Sequence, residues 1–274
     1  MSGQIKVAVA GANGRMGRLL VRRALAEDDL NLVGVRESER NLAELEKDLR
    51  GQTTATVAVS SDPRVAFGDA EVVIDFSIPA AVADNINAAA ALGAAVLVGV
   101  TDIDDDTRAA FPGIAEKIPL LVAPNTSLGV AALARLVRAA ADLFDHDWDA
   151  EILEMHHRRK RDAPSGTAML LAAAASASDG RHPRRLQASP SRDGERGRGD
   201  IGFAVLRGGS VAGEHEVIFA GAGERVSLSH RAQDRGLFVS GAISAARWLA
   251  RQPPGLYSID DTFNVASDRE GGQS

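Results

Sequence analysis

The sequence predicts an α/β protein: an N-terminal doubly wound parallel sheet of the Rossmann type, followed by a second domain of α+β type. Three observations predict this class. Short β-branched segments alternate with helix-like segments over residues 1–127, and a glycine-rich turn directly follows the first of them. From about residue 128 the alternation gives way to consecutive strand-like segments separated by glycines. We therefore expect a domain boundary near residue 128.

Composition narrows the possible functions. The chain has 274 residues, 45% of them hydrophobic and 25% charged, which is typical of a folded protein with two sizeable cores. A net charge of −6 argues against general nucleic-acid binding, and the absence of cysteine excludes disulfides and thiolate metal sites. No signal-peptide pattern follows Met1, and no apolar run is long enough to span a membrane. We expect a cytoplasmic protein with neither nucleic-acid nor membrane partners.

The first strand and the turn after it indicate a dinucleotide site. Residues 5–10 predict a buried parallel strand, and an amphipathic helix is expected over 18–27. Between them Gly11, Gly14 and Gly17 are spaced as G-x-x-G-x-x-G, where the commoner fingerprint is G-x-G-x-x-G. The three glycines are expected to allow the tight turn, the close approach of a pyrophosphate and the packing of the helix on the strand, in that order.

An acidic residue follows the second predicted strand, residues 31–35. Glu37 lies 20 residues beyond the last glycine of the turn, where a carboxylate accepts the ribose hydroxyls of an adenosine. Alone it would read as a solvated strand end. Arg36 and Arg40 flank it, and either could meet a 2′-phosphate, so the sequence does not choose between NADH and NADPH.

The remaining elements of the first domain follow the same alternation. Strands are predicted at 57–60, 71–77, 94–98 and 119–123, with helical segments at 41–55, 62–67, 79–91 and 104–116. Pro112 and Gly113 are expected to interrupt the last of these helices. Ligands of such sheets bind at the carboxyl ends of the strands. Six residues are expected there, along the rim of one crevice: Phe76, Ser77, Gly99, Thr101, Asn125 and Ser127.

The second domain is predicted to start with a helix over 128–144 and a strand over 148–154, followed by a helix over 166–178. Residues 179–200 have no apolar periodicity and predict a long exposed loop. Strands at 201–207, 214–220 and 225–231 are interpreted as two consecutive hairpins, and a final helix is expected over 235–249.

Residues 154–168 carry the strongest functional signal. They combine two adjacent histidines, a basic run at 158–161 and a helix start at which Ser165 is a good N-cap. Adjacent histidines and basic runs are commonly surface features, but their conjunction with a helix N-terminus predicts a pocket for a carboxylate or a phosphate.

The same stretch closely resembles the E-x-H-H-x-x-K-x-D-A-P-S-G-T-A motif of the 4-hydroxy-tetrahydrodipicolinate reductase (dihydrodipicolinate reductase) family of lysine and diaminopimelate biosynthesis. The resemblance covers essentially the whole chain, through residues 9–18, 123–130, 201–207 and 211–216. It implies NADH or NADPH bound to the first domain and a small cyclic dicarboxylate bound to the second. The implied reaction reduces 4-hydroxy-tetrahydrodipicolinate, via its dehydrated form, to tetrahydrodipicolinate.

The resemblance also implies roles for individual residues. His156 would be the proton donor and Lys160 its catalytic partner, and substrate would be held by His157, Lys160, Ser165, Gly166 and Thr167. The cofactor would be bound by Gly11, Asn13, Gly14, Arg15, Met16, Gly17, Glu37, Phe76, Gly99, Val100, Thr101, Ala123, Pro124, Asn125 and Thr126. A homotetramer without metal is implied. Residues 236–274 would join the dinucleotide-binding domain at 1–127, leaving 128–235 for substrate binding and oligomerisation.

The chain departs from the family pattern at four positions. Ile78 stands where a basic or polar residue is usual, which removes one possible contact to the nucleotide. Val100 and Asp102 alter the loop on the nicotinamide side. Thr126 replaces an aromatic residue.

Other functions stay open. A nucleotide-sensing regulator without turnover would need no Lys160. Another two-domain dehydrogenase acting on amino or aldehyde acids would lack the H-H-x-x-K and S-G-T constellation. A phosphate-binding scaffold using the basic loop 181–198 is disfavoured by the acidic net charge.

Overall fold

The chain forms two compact units in a computed structural model that describes residues 3–144, 147–176, 185–186, 194–197 and 199–263. The first unit comprises residues 3–126 together with 238–263, and the second comprises the described residues of Ser127–Leu237. Because the polypeptide leaves the first unit and later returns to it, that unit is built from two separate stretches of sequence.

Twelve strands and eight helices are found in the described residues. In chain order they are β1 (Ile5–Ala10), α1 (Arg15–Ala26), β2 (Leu30–Arg36), α2 (Leu42–Arg50), β3 (Ala58–Ser60), α3 (Pro63–Ala66), β4 (Val72–Asp75), α4 (Pro79–Leu92), β5 (Ala95–Val98), α5 (Asp105–Ala115), β6 (Pro119–Val122), α6 (Leu128–Leu143), β7 (Asp149–His156), α7 (Gly166–Ser176), β8 (Arg185–Leu186), β9 (Asp200–Arg207), β10 (Gly213–Ala220), β11 (Arg225–Ala232), α8 (Gly236–Leu249) and β12 (Gly255–Tyr257). Short 3₁₀ turns lie at Glu39–Asn41 and Ile259–Phe263.

The first unit contains a seven-stranded parallel sheet in the order β12-β6-β5-β4-β1-β2-β3. Ala10, at the end of β1, is in register with Arg36 of β2 and with Asp75 of β4. Val98 of β5 is in turn in register with Asp75 and with Val122 of β6. The carboxyl ends of five strands are therefore level at one edge. The predicted doubly wound parallel sheet is confirmed.

Both faces of this sheet are buried, as parallel sheets require. Val7 and Val9 of β1 point to one face, where they join a cluster that includes residues of α1 and α8. Ala8 and Ala10 point to the other face and pack with residues of α4 and α5. The alternation along one strand thus divides the core into two layers that hold the sheet edge rigid.

Helix α5 is continuous, so the expected interruption at Pro112 and Gly113 is wrong. Pro112 lies inside the helix, and both residues are on its exposed side. The buried side chains of Phe111 and Ile114 anchor the helix to the core. A proline inside a helix costs about 3 kcal/mol or more, but the carbonyl that loses its partner belongs to exposed Arg108, where water can bond it.

The second unit contains a five-stranded sheet in the order β11-β10-β7-β9-β8, with the buried faces of α6 and α7 packed on one side. Ile152 of β7 and Phe219 of β10 are fully buried against Leu171 of α7. The period-two burial of β7 and β10 directs their other side chains to the opposite face.

The prediction of two consecutive hairpins is half wrong. Strands β10 and β11 do form a hairpin, but β7 lies between β9 and β10 and pairs with both, parallel to β9 and antiparallel to β10. The segment between β9 and β10 passes over the end of β7: the Gly208 N–H bonds to the His156 carbonyl at 2.9 Å, and the Arg158 N–H bonds to the Gly209 carbonyl at 3.3 Å. These long-range bonds leave no trace in local sequence patterns.

Most of the expected loop at 179–200 lies outside the described residues. Within the part that is described, Arg185–Leu186 form β8 parallel to β9, so this stretch is not wholly without regular structure. None of the helices in the described residues is long and apolar enough to cross a membrane.

Candidate functional site

The turn after β1 requires glycine at two positions. Gly11 has a φ of +74°, and a Cβ there would lie 2.6 Å from the Phe76 carbonyl oxygen. A Cβ on Gly17 would lie 2.0 Å from the Gly11 carbonyl oxygen. Both contacts are far below van der Waals distance, so the two glycines allow the turn and the packing of α1 on it, as the spacing predicted.

The start of α1 is open to an anion. Gly14 is its N-cap and contributes no side-chain cap, and the first turn carries no acidic residue. The N–H groups of Arg15, Met16 and Gly17 therefore lack the carboxylate or hydroxyl partner that commonly closes a helix start. The helix dipole adds partial positive charge at the same place. A pyrophosphate is the natural partner of this arrangement.

Glu37 closes the other side of the turn. Its Oε2 accepts the Asn13 N–H at 2.9 Å, and its Oε1 accepts the Ser38 N–H at 2.8 Å and the Asn41 side-chain amide at 3.2 Å. Burial raises the pKa of Glu37, but these hydrogen bonds outweigh it and hold that pKa below its usual range. The ionised carboxylate is thus fixed beside Asn13, whose own Oδ1 is buried without a partner.

The two arginines beside Glu37 differ in whether their guanidinium groups are already bonded within the protein. Arg36 bonds through its guanidinium to the Ser61 carbonyl at 3.1 Å, to Asp84 at 2.6 Å and to the amide oxygen of Asn85. Its side chain is only 17% exposed. Arg40 is exposed. Of the pair, Arg40 is therefore the one with a guanidinium free to turn toward a 2′-phosphate.

A buried polar pair behind Arg36 was missed by the sequence analysis. Asp75 at the end of β4 and Asn85 in α4 are both fully buried, and the Asn85 amide donates to Asp75 at 2.8 Å. Burial raises the pKa of Asp75. The signal available in sequence was a carboxylate that ends an apolar strand.

The other rim residues are brought to one sheet edge by the parallel register, but they differ in what they expose. The Phe76 ring covers Gly99 so closely that a Cβ there would lie 2.4 Å from it. Val100 and Ala123 are buried in the core, so only their backbones can reach a ligand. Thr101 and Pro124 are exposed, and Asn125 is half-buried.

The structure shows the contacts and the exposure of the residues that depart from the family pattern. Thr126 is buried and its hydroxyl donates to the Phe238 carbonyl at 2.8 Å, so it ties α8 to the end of β6. Ile78 is 65% exposed. Asp102 adopts a φ of +58°, which among residues other than glycine is found mostly at asparagine, aspartate and histidine, and accepts a 3.2 Å bond from the Thr101 hydroxyl.

In the second unit, His156 is the last residue of β7 and Glu154 lies two residues before it on the same buried face. The His156 Nδ1 is hydrogen-bonded to Glu154 Oε2. Glu154 is completely buried, and His156 is 8% exposed. The period of the strand thus places an acid and a histidine side by side away from bulk water.

Arg207, at the end of β9, neutralises the buried acid. Its two terminal nitrogens bond to the two oxygens of Glu154 at 2.8 and 2.9 Å, and it also donates to the Asp162 carbonyl at 2.6 Å. The Ser165 N–H gives Glu154 Oε1 a further bond at 2.9 Å. Burial raises the pKa of Glu154, but the bonds from Arg207, His156 and Ser165 more than offset it and leave the pKa lowered. The carboxylate is therefore ionised.

His156 itself has a lowered pKa. Burial lowers the pKa of His156 most, and the hydrogen bond and charge of Glu154 oppose that effect without cancelling it. The positive charges of Lys160 and Arg207 lower the pKa further. In the free protein at neutral pH the ring is neutral, and a nearby anion would favour its protonated form.

Lys160 and His157 lie in the turn that follows β7. The Lys160 Nζ pairs with Asp162 at 2.7 Å, and its side chain is 20% exposed. A lysine carries three donors, so this pair leaves capacity for a ligand. His157 is half-buried, and its Nδ1 is buried without a partner. Sequence neighbours thus supply one cation and one unsatisfied ring nitrogen close to His156.

The predicted anion-binding residues at the start of α7 differ in their exposure to solvent. Ser165 caps the helix by accepting the Ala168 N–H at 3.1 Å; its hydroxyl also bonds to His215 Nε2 at 3.0 Å, and the residue is 1% exposed. Gly166 is exposed with open space where a Cβ would be, and Thr167 is half-buried. The hydroxyl of Ser165 serves the fold, and access from solvent is at Gly166 and Thr167.

His215 was not singled out from the sequence. It is in register with Glu154 across the β7–β10 pair, and its ring contacts that of His156 edge-on with centroids 5.0 Å apart. Burial, with help from the charge of His156, lowers the pKa of His215 to about 4. Its position two residues after Gly213, within a stretch that resembles the family, was the available signal.

Glu154, His156 and His215 lie close enough for their ligand atoms to surround one ion. The cationic Arg207 already occupies both oxygens of Glu154, and Ser165 occupies His215 Nε2. These contacts match a proton-handling cluster better than a metal site, and the expectation of no metal stays a prediction.

The comparisons with known proteins agree over nearly the whole length. The family description "Dihydrodipicolinate reductase, N-terminus" matches residues 5–126, and "Dihydrodipicolinate reductase, C-terminus" matches residues 129–263. The chain is 45% identical to a 4-hydroxy-tetrahydrodipicolinate reductase of Afipia carboxidovorans, over 96% of this chain and 98% of the relative. It is 41% identical to the enzyme of that name from Zymomonas mobilis, over 95% and 98%.

Among solved structures, the chain is similar to a dipicolinate-bound dihydrodipicolinate reductase from Paenisporosarcina sp. TG-14. The TM-score is 0.75 at 23% identity, covering 94% of this chain and 99% of the other. At this identity the likeness supports the fold, with its parallel sheet and its second, smaller sheet.

Proposed function

The chain belongs to the dihydrodipicolinate reductase family, and from that premise we propose that it reduces 4-hydroxy-tetrahydrodipicolinate, through its dehydrated form, with His156 as proton donor. It is an NAD(P)-dependent oxidoreductase whose first unit is the dinucleotide-binding domain. The observation that carries the residue assignment is the buried His156 at the end of β7, with Lys160 and the start of α7 beside it in the sequence.

The cofactor is proposed to bind along the carboxyl edge of the first sheet. The pyrophosphate of NADH or NADPH would meet the uncapped start of α1, at Gly14, Arg15 and Met16. Glu37 would accept the adenosine ribose hydroxyls, in exchange for bonds that Ser38 and Asn41 now give it. Further contacts are proposed for the rest of this edge: Gly11, Asn13, Gly17, Phe76, Gly99, Val100, Thr101, Ala123, Pro124, Asn125 and Thr126.

The substrate is proposed to bind at the second unit. A dicarboxylate needs two anion sites, and the second unit offers two kinds. Gly166 and Thr167 lie at a helix start, and Lys160 and His157 supply a cation and an imidazole. Ser165 is proposed to contribute by capping the helix that Gly166 begins. Each charge-assisted hydrogen bond in such a place is worth about 1.5–3 kcal/mol.

The chemistry assigned to this chain is the handling of one proton. When bound, a reduced nicotinamide would supply the hydride, and the substrate would then need one proton to complete the reduction. His156, which is neutral in the free protein, would be charged when a dianion lies beside it, and would then donate. Lys160 would hold the substrate against His156 and stabilise the negative charge of the substrate.

The test measures oxidation of NADH and of NADPH with freshly generated 4-hydroxy-tetrahydrodipicolinate, following the near-ultraviolet absorbance of the reduced nicotinamide. His156→Gln should lower kcat by roughly 100-fold or more, with a small change in KM. Lys160→Ala should lower kcat and raise KM. Arg159→Ala, which removes an exposed charge from the same basic run, is the matched control and should change neither by more than about twofold.

Three outcomes would contradict the proposal. A His156→Gln variant with near-normal kcat would remove the proton-donor role. Protein that binds NADH or NADPH but oxidises neither would favour the non-catalytic regulator. Turnover of another amino or aldehyde acid in preference to this substrate would point to the neighbouring dehydrogenase class.

We further propose a cytoplasmic homotetramer built through the open face of the second sheet. Leu153 and Met155 of β7, Leu206 of β9 and Ile218 of β10 project from the face opposite α6 and α7, and Leu206 is 48% exposed. These apolar side chains, on a face that also carries Glu151, Glu214 and Glu216, are of the kind found in subunit interfaces. Light scattering should give a mass four times that of the chain, and Leu206→Asp should lower it. A monomeric wild-type protein would contradict the proposed homotetramer.

Recovery of the protein in the membrane fraction of cells would contradict the proposed cytoplasmic location.

A further inference from the structure

The buried carboxylate of Glu154 is linked, directly or through Arg207, to the elements that the proposed substrate site uses. It bonds to His156 through one oxygen, to the Ser165 N–H at the start of α7 through the other, and to Arg207 through both. Arg207 reaches on to the Asp162 carbonyl, in the turn that carries Lys160. A fully buried charge is costly unless it is paired, so this arrangement fixes the geometry of all these elements together.

From these contacts we propose that Glu154 and Arg207 form a positioning pair for His156, in which Glu154 fixes the ring with its proton on Nδ1 and Arg207 restrains the carboxylate's effect on the acidity of the ring. The inference rests on the proposed function, because it assigns roles around the same histidine. Neither residue is a catalytic residue in this reading, since each acts through His156.

The tautomer follows from the hydrogen-bonding chemistry. An ionised carboxylate only accepts, so the ring nitrogen that faces Glu154 must carry the hydrogen. Nε2 is then the nitrogen without a hydrogen in the neutral ring, and it is the one that takes up and gives away the proton. Nε2 lies beside Gly213, where a Cβ would be only 3.1 Å away. The pairing thus selects which atom of His156 reacts.

Arg207 opposes Glu154 electrostatically. A lone buried carboxylate would strongly favour the charged imidazolium and make His156 a weak acid. Arg207 binds both oxygens and places a positive charge near the ring, which favours the neutral form. The groups that face His156 from the packed elements are Glu154, Arg207, Lys160 and the neutral His215. Removing the charge of Glu154 and removing the charge of Arg207 should therefore shift the titration of His156 in opposite directions: to lower pH without Glu154 and to higher pH without Arg207.

Nuclear magnetic resonance can read the ring directly. The chain has six histidines, and labelling their rings with nitrogen-15 gives a small spectrum in which His156→Gln identifies the signals of His156. In the wild type at neutral pH we expect the Nδ1–H tautomer. The opposite tautomer in the folded wild type would overturn the proposal without any variant, so the test does not depend on Glu154 variants folding.

Two variants then test the pair. Glu154→Gln removes the charge and offers the ring both a donor and an acceptor, so the tautomers should mix and His156 should titrate at lower pH. Arg207→Gln should make His156 titrate at higher pH. Both variants should lower kcat by roughly 10- to 100-fold with little change in KM, which is part of the roughly 100- to 10,000-fold that acid catalysis supplies.

Arg196→Gln is the matched control. Arg196 is also a mostly buried arginine that bonds to β7, but at its other end, through Asp149, the Ala150 carbonyl and Glu151. Its loss should lower stability and leave the tautomer, the titration of His156 and kcat unchanged. Shifts of the same sign in Glu154→Gln and Arg207→Gln, or shifts no larger than in Arg196→Gln, would overturn the proposal. Absent turnover in the wild type would instead overturn the proposed function, while the titrations would still decide the pair.

Discussion

Gly213 lies against the reacting edge of His156: a Cβ at position 213 would come within 3.1 Å of His156 Nε2 and within 3.7 Å of His215 Cε1. The glycine opens β10 and is itself buried. One missing methyl group therefore leaves room for the nitrogen that is proposed to hand over the proton.

The first prediction concerns this glycine. Gly213→Ala should lower kcat by about tenfold or more, because the ring of His156 must turn away from the new methyl group, while dicarboxylate binding changes less. Gly223→Ala, in the β10–β11 turn where a Cβ meets nothing within 4 Å, is the control and should keep full activity. Equal kcat values in the two variants would show that the contact is unimportant.

The second prediction separates the arginines near Glu37. Arg36 is held by Asp84 and Asn85, so Arg36→Met should lower the free energy of unfolding by about 1–3 kcal/mol without raising KM for NADPH relative to NADH. Arg40→Ala should be as stable as the wild type and should raise KM for NADPH alone. Chemical denaturation measures the free energy of unfolding of both variants, and steady-state kinetics with NADH and NADPH measure their KM values. A KM for NADPH that rises in Arg36→Met and not in Arg40→Ala would mean that Arg36 leaves its partners to meet the 2′-phosphate.

The third prediction separates Ser165 from Thr167. Ser165→Ala removes the cap of α7 and should lower stability by about 0.5–2 kcal/mol. Thr167→Val keeps the shape of a half-buried side chain and should act mainly by raising KM for the substrate. Thermal unfolding and steady-state kinetics of the two variants provide the comparison. A Thr167→Val enzyme with normal KM and lowered kcat would argue against a role in holding the anion.

The fourth prediction concerns acid. His215 has a folded pKa of about 4 against 6.5 for the free side chain, so its neutral state contributes stability that is complete above pH 6.5 and is lost as the pH falls toward about 4. His215→Gln can still bond to Ser165 but does not titrate. Urea unfolding across this range should show a steeper loss of stability for the wild type than for the variant. Parallel curves would mean that other groups control the acid response.

Local signals in the sequence were sufficient to predict the parallel sheet of the first unit. The β-branched strands, the glycine turn and the acid after β2 each depend on residues close in the chain, and the parallel register then aligns the strand ends without further information. Helix α5 shows the limit of such signals. Its continuity through Pro112 depends on Phe111 and Ile114 packing into a core assembled from distant segments.

The second unit was harder to predict for the same reason. The sequence of the segment between β9 and β10 does not indicate that this segment bonds to the end of β7. Nor does it indicate that β7 lies between β9 and β10 in the sheet. The pairing of Glu154 with Arg207 joins residues 53 apart and depends on this strand order. The resemblance of residues 154–168 to the family motif singled out His156 and Lys160, but Arg207 and His215 become neighbours of Glu154 and His156 only through the sheet.

Helix α8 and strand β12 complete the first unit with residues that are translated after the second unit. Val239, Ile243 and Leu249 of α8 fill one layer of its core, and β12 is the final strand of its sheet. On the ribosome, the second unit is therefore fully synthesised while the first still lacks one covering helix. Until the carboxyl-terminal stretch emerges, the nascent chain exposes apolar sheet surface to the cell's chaperones, and a ribosome that stalls near residue 237 would release an aggregation-prone fragment.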